Sequence, residues 1–127
     1  MHLADTREQA LKDVRHGLKA WCDYLQHTAA APQIQVTGDK IDEYIDWALN
    51  TGSAVIGTYE DAIEHIESLI ELSNGGFGNY LLFDTNWAKF SVKKYHYELF
   101  ANYVIPHFKR TNVRMQKSEQ ALRKVRD

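Results

Sequence analysis

Six histidines, one cysteine and a glycine–threonine step hold most of the reactive chemistry in this chain of 127 residues. The histidines are His2, His16, His27, His65, His96 and His107. None falls in an HExxH pattern, and no CxxC or paired-carboxylate arrangement accompanies them, so the spacing points to no metal centre. His96 stands between Tyr95 and Tyr97 and His107 follows a proline, neither with ligand company. Cys22 falls on the apolar side of a helical repeat, where a thiol is expected to be buried and inert. Gly57 and Thr58 are the more suggestive pair. They end a short apolar run and open a helix, where free N–H groups and the helix dipole suit a phosphate. The same two residues serve equally as a turn and an N-cap. Trp87, just after Asp84-Thr85-Asn86, is placed either to wall a pocket or to pack. The cluster Gly75-Gly76-Phe77-Gly78 is not a nucleotide loop, because it precedes a strand-like run, whereas a dinucleotide fingerprint follows one. It reads as a structural turn. Glu60, Asp61, Glu64, Glu67 and Glu71 share a helix and read as solvated charges.

The elements that must hold these residues follow from periodicity. Thr6-Arg7-Glu8-Gln9 is a capping box that starts a helix near Arg7. Ala10, Leu11, Val14, Leu18, Trp21, Cys22 and Leu25 recur at steps of three and four, carrying one helix to Ala29-Ala30-Ala31-Pro32. Gly17 in its middle costs up to about 1 kcal/mol against alanine, which close packing would explain. Residues 33–39 are polar and read as a mobile loop. Ile41, Tyr44, Ile45, Ala48 and Leu49 predict a helix over 39–50. Residues 53–57 are a short strand-like run. Thr58 then caps a helix whose apolar face is Ala62, Ile63, Ile66, Leu69 and Ile70, with Asp61 at its positive end. Residues 80–83 are a second apolar run, and a long helix is expected over 87–105 until Pro106 ends or kinks it. Strand, helix and strand make a βαβ unit with parallel strands.

A hydrophobic content of 44% makes a soluble single domain the default, and a net charge of −2 with a pI near 6.3 argues for neither nucleic acid nor an acidic membrane as partner. Lone Cys22 forms no intramolecular disulfide and fits a reducing compartment. No run is long enough to span a bilayer, and residues 1–5 lack the features of a signal peptide. A cytoplasmic location is expected. Residues 109–127 hold seven of the fifteen basic residues and two acidic ones. They read as a basic tail, frayed or unstructured, with no interleaved aromatics to suggest a nucleic-acid arm. Two parallel strands alone do not make a stable domain, since such strands are normally buried on both faces of a larger sheet. Strand–helix alternation suggests a piece of an α/β sheet or of a closed barrel, which takes about 250 residues.

The sequence resembles the C-terminal portion of the bacterial luciferase-like flavin-dependent monooxygenases, in their limonene monooxygenase-like branch. The resemblance rests on His2-Leu3-Ala4-Asp5-Thr6-Arg7-Glu8-Gln9-Ala10, Asp13-Val14-Arg15, Val55-Ile56-Gly57-Thr58 and Asp61-Ala62-Ile63. It continues through Ser73-Asn74-Gly75-Gly76-Phe77-Gly78, Asn86-Trp87-Ala88 and Tyr97-Glu98-Leu99-Phe100-Ala101, and ends in Tyr103-Val104-Ile105-Pro106-His107-Phe108. Each piece alone is weak; the ordered set over residues 2–108 is specific.

The resemblance implies a fragment of a TIM-type (β/α)8 barrel, helix-rich with two short parallel strands. Residues 2–5 would be the tail of the sixth strand, and 53–57 and 79–84 the seventh and eighth. Residues 1–108 would form the last βα units, with 109–127 as the tail. It also implies reduced FMN, or a deazaflavin in some relatives, with a flavin reductase and a small organic substrate as partners of the full-length enzyme. The chemistry would be insertion of one oxygen atom into that substrate. In a barrel the strand exits carry function. Gly57 and Thr58 would then be a phosphate end, Trp87 a pocket wall, and His2 the candidate for a catalytic base, with no partner legible in the sequence. The earlier strands of such a barrel are not in the chain, so neither tight FMN binding nor turnover is expected of it alone. The competing expectation is a non-catalytic interaction module, which self-associates or complements a separate N-terminal fragment.

Overall fold

The structure is a computed structural model and describes residues 1–109. Its sheet has two short parallel strands, β1 (His2–Leu3) and β2 (Ile56–Gly57), with His2 opposite Ile56 and Leu3 opposite Gly57. The His2 N–H donates to the Val55 carbonyl at 2.8 Å and the Ala4 N–H to that of Gly57 at 2.9 Å, which extends the pairing by a bond at each end. Helices make up the rest: α1 (Arg7–Val14), α2 (Leu18–Asp23), α3 (Ile41–Asn50), α4 (Tyr59–Leu72), α5 (Phe90–Leu99) and α6 (Ile105–Phe108). The chain is thus helix-rich with two short parallel strands, as a fragment of an α/β fold would be. The described residues do not close a barrel.

The pairing corrects one expectation. The apolar run at 53–57 does supply a strand, but its partner is the start of the chain, not residues 80–83. That second run forms no strand, and Leu81 and Phe83 are 87% and 73% exposed. The reason lies just upstream. Phe77 and Tyr80 turn inward against the core that α4 builds, which takes the segment away from the sheet edge.

Two cores flank the strands. One joins α1, α2 and α3 through Ala10, Val14, Leu18, Cys22, Tyr44 and Ile45, with Ile56 of β2 and Trp87. The other joins α4 to the helix around Leu99 and Val104 through Ala62 and Ile66, with Leu3 of β1. Neighbours on a strand point to opposite faces, which lets His2 and Leu3 serve different partners.

The long first helix expected over 7–31 is broken in two. Thr6 caps α1, its hydroxyl accepting from the Gln9 N–H at 3.1 Å. The break falls at Gly17, whose N–H donates to the Trp87 carbonyl at 2.9 Å. A Cβ there would overlap the Asn86 carbonyl oxygen, so the glycine is a point of close approach between segments far apart in sequence. α2 then widens into a π-helical stretch, Tyr24–Thr28. Residues 33–39 are a loop as expected but not a loose one: Ile34 and Val36 are buried, and the Val36 N–H donates to the Gln26 side chain at 3.2 Å.

The last helix passes through Pro106 by the same device. Between α5 and α6 lies a π-helical stretch, Phe100–Val104, and the Ile105 N–H donates to the carbonyl of Phe100, five residues back. Proline lacks the N–H of a regular turn and its ring clashes with the preceding one. A wide turn before it lets the helix continue. Of the basic tail expected over 109–127, all but Lys109 lies outside the described residues. Among the described residues no helix is long and apolar enough to cross a membrane.

Candidate functional site

The densest buried polar group lies where β1 meets α1 and α5. Ending as it does at Leu3, β1 leaves Ala4 and Asp5 to lead into α1, whose inner turn carries Gln9 and Asp13. His2 is 2% exposed and its Nε2–H donates to Asp13 Oδ2 at 3.1 Å. Gln9 Nε2 holds the other Asp13 oxygen at 2.6 Å. Burial pushes His2 below the ordinary histidine range, and its hydrogen bond to the Asp13 carboxylate pushes back. An imidazole fixed by a carboxylate on one nitrogen keeps its other nitrogen as a base, the arrangement used for general acid–base chemistry.

From α5, His96 comes within 5.7 Å of His2, ring centre to ring centre. It is 3% exposed, and its Nδ1 accepts from the Leu3 backbone N–H at 3.1 Å. With Nδ1 accepting, the neutral ring carries its proton on Nε2. Burial first, then the neighbouring His2, pushes His96 down to about 4. Beside the pair, Asp84 accepts from Tyr97 Oη at 2.9 Å and pairs with Lys93 Nζ at 3.1 Å. These two hold its carboxyl below the usual range. On the far side, Tyr95 Oη donates to Asp5 at 2.7 Å, at the edge of an open cleft of about 310 Å³ that Asp13, Gln9 and Ser91 also line.

The residues singled out from sequence fall in three places. His2 belongs to this polar group, with Asp13 as the partner that the sequence did not reveal. Eleven residues apart, the two meet only because β1 and α1 fold back on each other. Trp87 lies nearby but is 3% exposed, packed edge-on against Trp21 at 5.2 Å. Gly57 and Thr58 stand apart, at the start of α4. The Thr58 N–H donates to Asp61 Oδ2 at 2.8 Å, and Arg7 pairs with the same carboxylate. A Cβ on Gly57 would overlap that carboxylate.

The helix end therefore suits an anion in kind, and the anion it holds is Asp61. Gly57 and Thr58 thus face a carboxylate of their own helix, and Trp87 is buried. Among the described residues no group of three or more His, Cys, Asp or Glu could hold a metal ion. The glycine cluster is a turn: Asn74, Gly75 and Gly76 have positive φ of 57°, 133° and 118°. It borders an apolar groove of about 350 Å³ between α4 and the last helix, lined by Ile66, Ile70, Phe77 and Phe100 among others.

No protein-family model matches the chain, and no solved structure matches it. Two curated proteins do. Limonene 1,2-monooxygenase of Rhodococcus erythropolis is 43% identical over 112 residues, which is 85% of this chain and 27% of that protein. 4-Hydroxyprotoasukamycin monooxygenase of Streptomyces nodosus subsp. asukaensis is 28% identical over 108 residues, 85% of this chain and 29% of that protein. The chain thus spans between a quarter and a third of the length of these relatives. By this measure the chain is similar to about a quarter of limonene 1,2-monooxygenase, a stretch that takes in most of the chain itself.

Proposed function

We propose that this chain is the C-terminal segment of a flavin-dependent, luciferase-like monooxygenase, and that it does not catalyse by itself. The carrying observation is the 43% identity over 85% of the chain, set against 27% of the relative. The physical support is the sheet. Two strands of two residues bury little, and parallel strands normally sit inside larger sheets.

In the whole protein the segment supplies the final βα units of a barrel, and reduced FMN supplies the oxygen-activating chemistry. A reductase and a small organic substrate are the partners of that whole protein. The role of this chain's own residues is narrower. Asp13 holds His2 by Nε2, leaving Nδ1 to take a proton, and Asp5 with Tyr95 lines the cleft beside them. Fluorescence titration of FMN with the isolated chain tests the reading: no saturable quenching is expected in the micromolar range. A clean micromolar isotherm would overturn the expectation that the isolated chain does not hold FMN tightly.

The second reading is an interaction module, which the exposed apolar side chains favour. Leu72, Leu81, Phe83 and Phe90 all face solvent, and a two-stranded sheet with open edges favours association. Light scattering across a concentration series decides. A compact monomer at high concentration rejects the module.

A further inference from the structure

The N–H groups of a strand point alternately to its two sides. In β1 those of His2 and Ala4 donate to the carbonyls of Val55 and Gly57, so that of Leu3 points away from β2. No strand among the described residues lies on that side. The Leu3 N–H donates instead to His96 Nδ1 of α5, and both residues are buried. α5 thus covers the outer edge of β1, one of the ways in which a strand without a neighbour is closed.

The cover is lightly held. Of the ten residues of α5, His96 and Leu99 are buried, whereas the core of α1–α3 buries Ala10, Val14, Leu18, Cys22, Tyr44 and Ile45. Elements with few buried apolar contacts open at the lowest cost. His96 therefore carries a large share of the docking, and it does so only as a neutral ring. With a proton on both nitrogens it offers Leu3 no acceptor.

A charged ring would also find no free carboxylate among the described residues around it. On β1, His2 is 5.7 Å away, ring centre to ring centre, and the Met1 amino group adds to the repulsion. Asp13 of α1 is taken by His2 and Gln9, and Asp5 by Tyr95. Asp84, on the segment before α5, favours a charge on His96, but Tyr97 and Lys93 of α5 already hold it.

We propose that His96 is a proton-released latch: α5 undocks from the outer edge of β1 when the ring is protonated, in a local opening that leaves the core of α1–α3 folded. Undocking frees the Leu3 N–H for a backbone carbonyl from elsewhere, so an added strand and α5 exclude each other at this edge. The inference rests on this chain's geometry and not on the flavin reading.

The test is amide hydrogen exchange on the full chain, read residue by residue by NMR, with each rate set against that of an unstructured peptide at the same pH. The protection of the Leu3 amide is expected to fall about tenfold per pH unit between roughly pH 6 and pH 4. It is also expected to stay at least roughly tenfold below that of Val14 and Ala48, buried in the other core, and to be insensitive to low urea, because a local opening exposes little surface. His96→Asn does not titrate and should hold the protection of Leu3 level over the same range. Two results overturn the proposal. One is a Leu3 protection that does not change with pH. The other is a Leu3 amide with the same protection and the same urea slope as Val14 and Ala48, since it would then exchange only by global unfolding. If His96→Asn does not fold, the parent's comparison of Leu3 with Val14 and Ala48 decides alone.

Discussion

His96 Nδ1 accepts a hydrogen bond from the backbone of Leu3 at 3.1 Å, so a side chain near the end of the described chain completes the hydrogen bonding of its first strand. The bond exists only while His96 is neutral. A protonated ring has no acceptor there, and the nearby His2 would repel it.

A pH dependence follows. His96 is pushed from 6.5 down to about 4 by burial and by His2, so between these values the unfolded chain binds a proton that the folded chain refuses. Its contribution to stability is complete above the ordinary histidine pKa and is lost as pH falls through that window. The slope is about 1.4 kcal/mol per pH unit for one proton. His2, also lowered by burial, adds in the same direction. Urea unfolding from pH 8 to pH 4 measures it. His96→Asn, whose amide oxygen can accept from Leu3, is expected to flatten the curve; an unchanged slope would remove His96 as its source.

Gly17→Ala tests the close approach at the helix break. Gly17 is the N-cap of α2, where alanine gains no helix propensity, and the new Cβ would overlap the Asn86 carbonyl. Overpacking against backbone costs about 1–3 kcal/mol, so the variant is expected to be less stable. A melting temperature equal to or above the parent would show that the segment at 86–87 can move away.

Asp61→Ala removes the group that caps α4 and receives Arg7. A net loss of about 1–2 kcal/mol is expected, as for other N-terminal caps. Arg7→Gln should cost less, because the arginine is exposed and its pair is screened by water. If the two variants lose equally, the ion pair and not the cap holds this corner.

Cys22 is buried between the first three helices, and burial pushes its thiol up to about 11. In the native protein its reaction with a disulfide reagent at pH 8 is expected to be at least roughly a hundredfold slower than in urea. Fast native labelling would mean that α2 opens readily.

What could be read from local pattern was recovered where the pattern decides the structure. Thr6 and Thr58 mark the starts of helices, and the three- and four-residue steps of Ala10, Val14, Leu18 and Cys22 do face a core. The order of motifs over residues 2–108 likewise pointed to the relative that the comparison found. The candidate site was legible only in part. His2 was in view, but its partners Asp13 and His96 were not, because nothing in sequence spacing says that residues 2, 13 and 96 meet.

The sequence by itself determined which segments are helical, the caps at Thr6 and Thr58, and which side chains are apolar, because these depend on neighbours within a turn or two. The tertiary structure decided what depends on distant backbone. It pairs residues 2–3 with 56–57 and leaves 80–83 outside the sheet, where Phe77 and Tyr80 pack against the core that α4 builds. It also breaks the first helix at Gly17, where the carbonyls of Asn86 and Trp87 come down on it. Strand pairing and close approach are set by which surfaces remain to be covered once the helices have packed, and no local pattern carries that information.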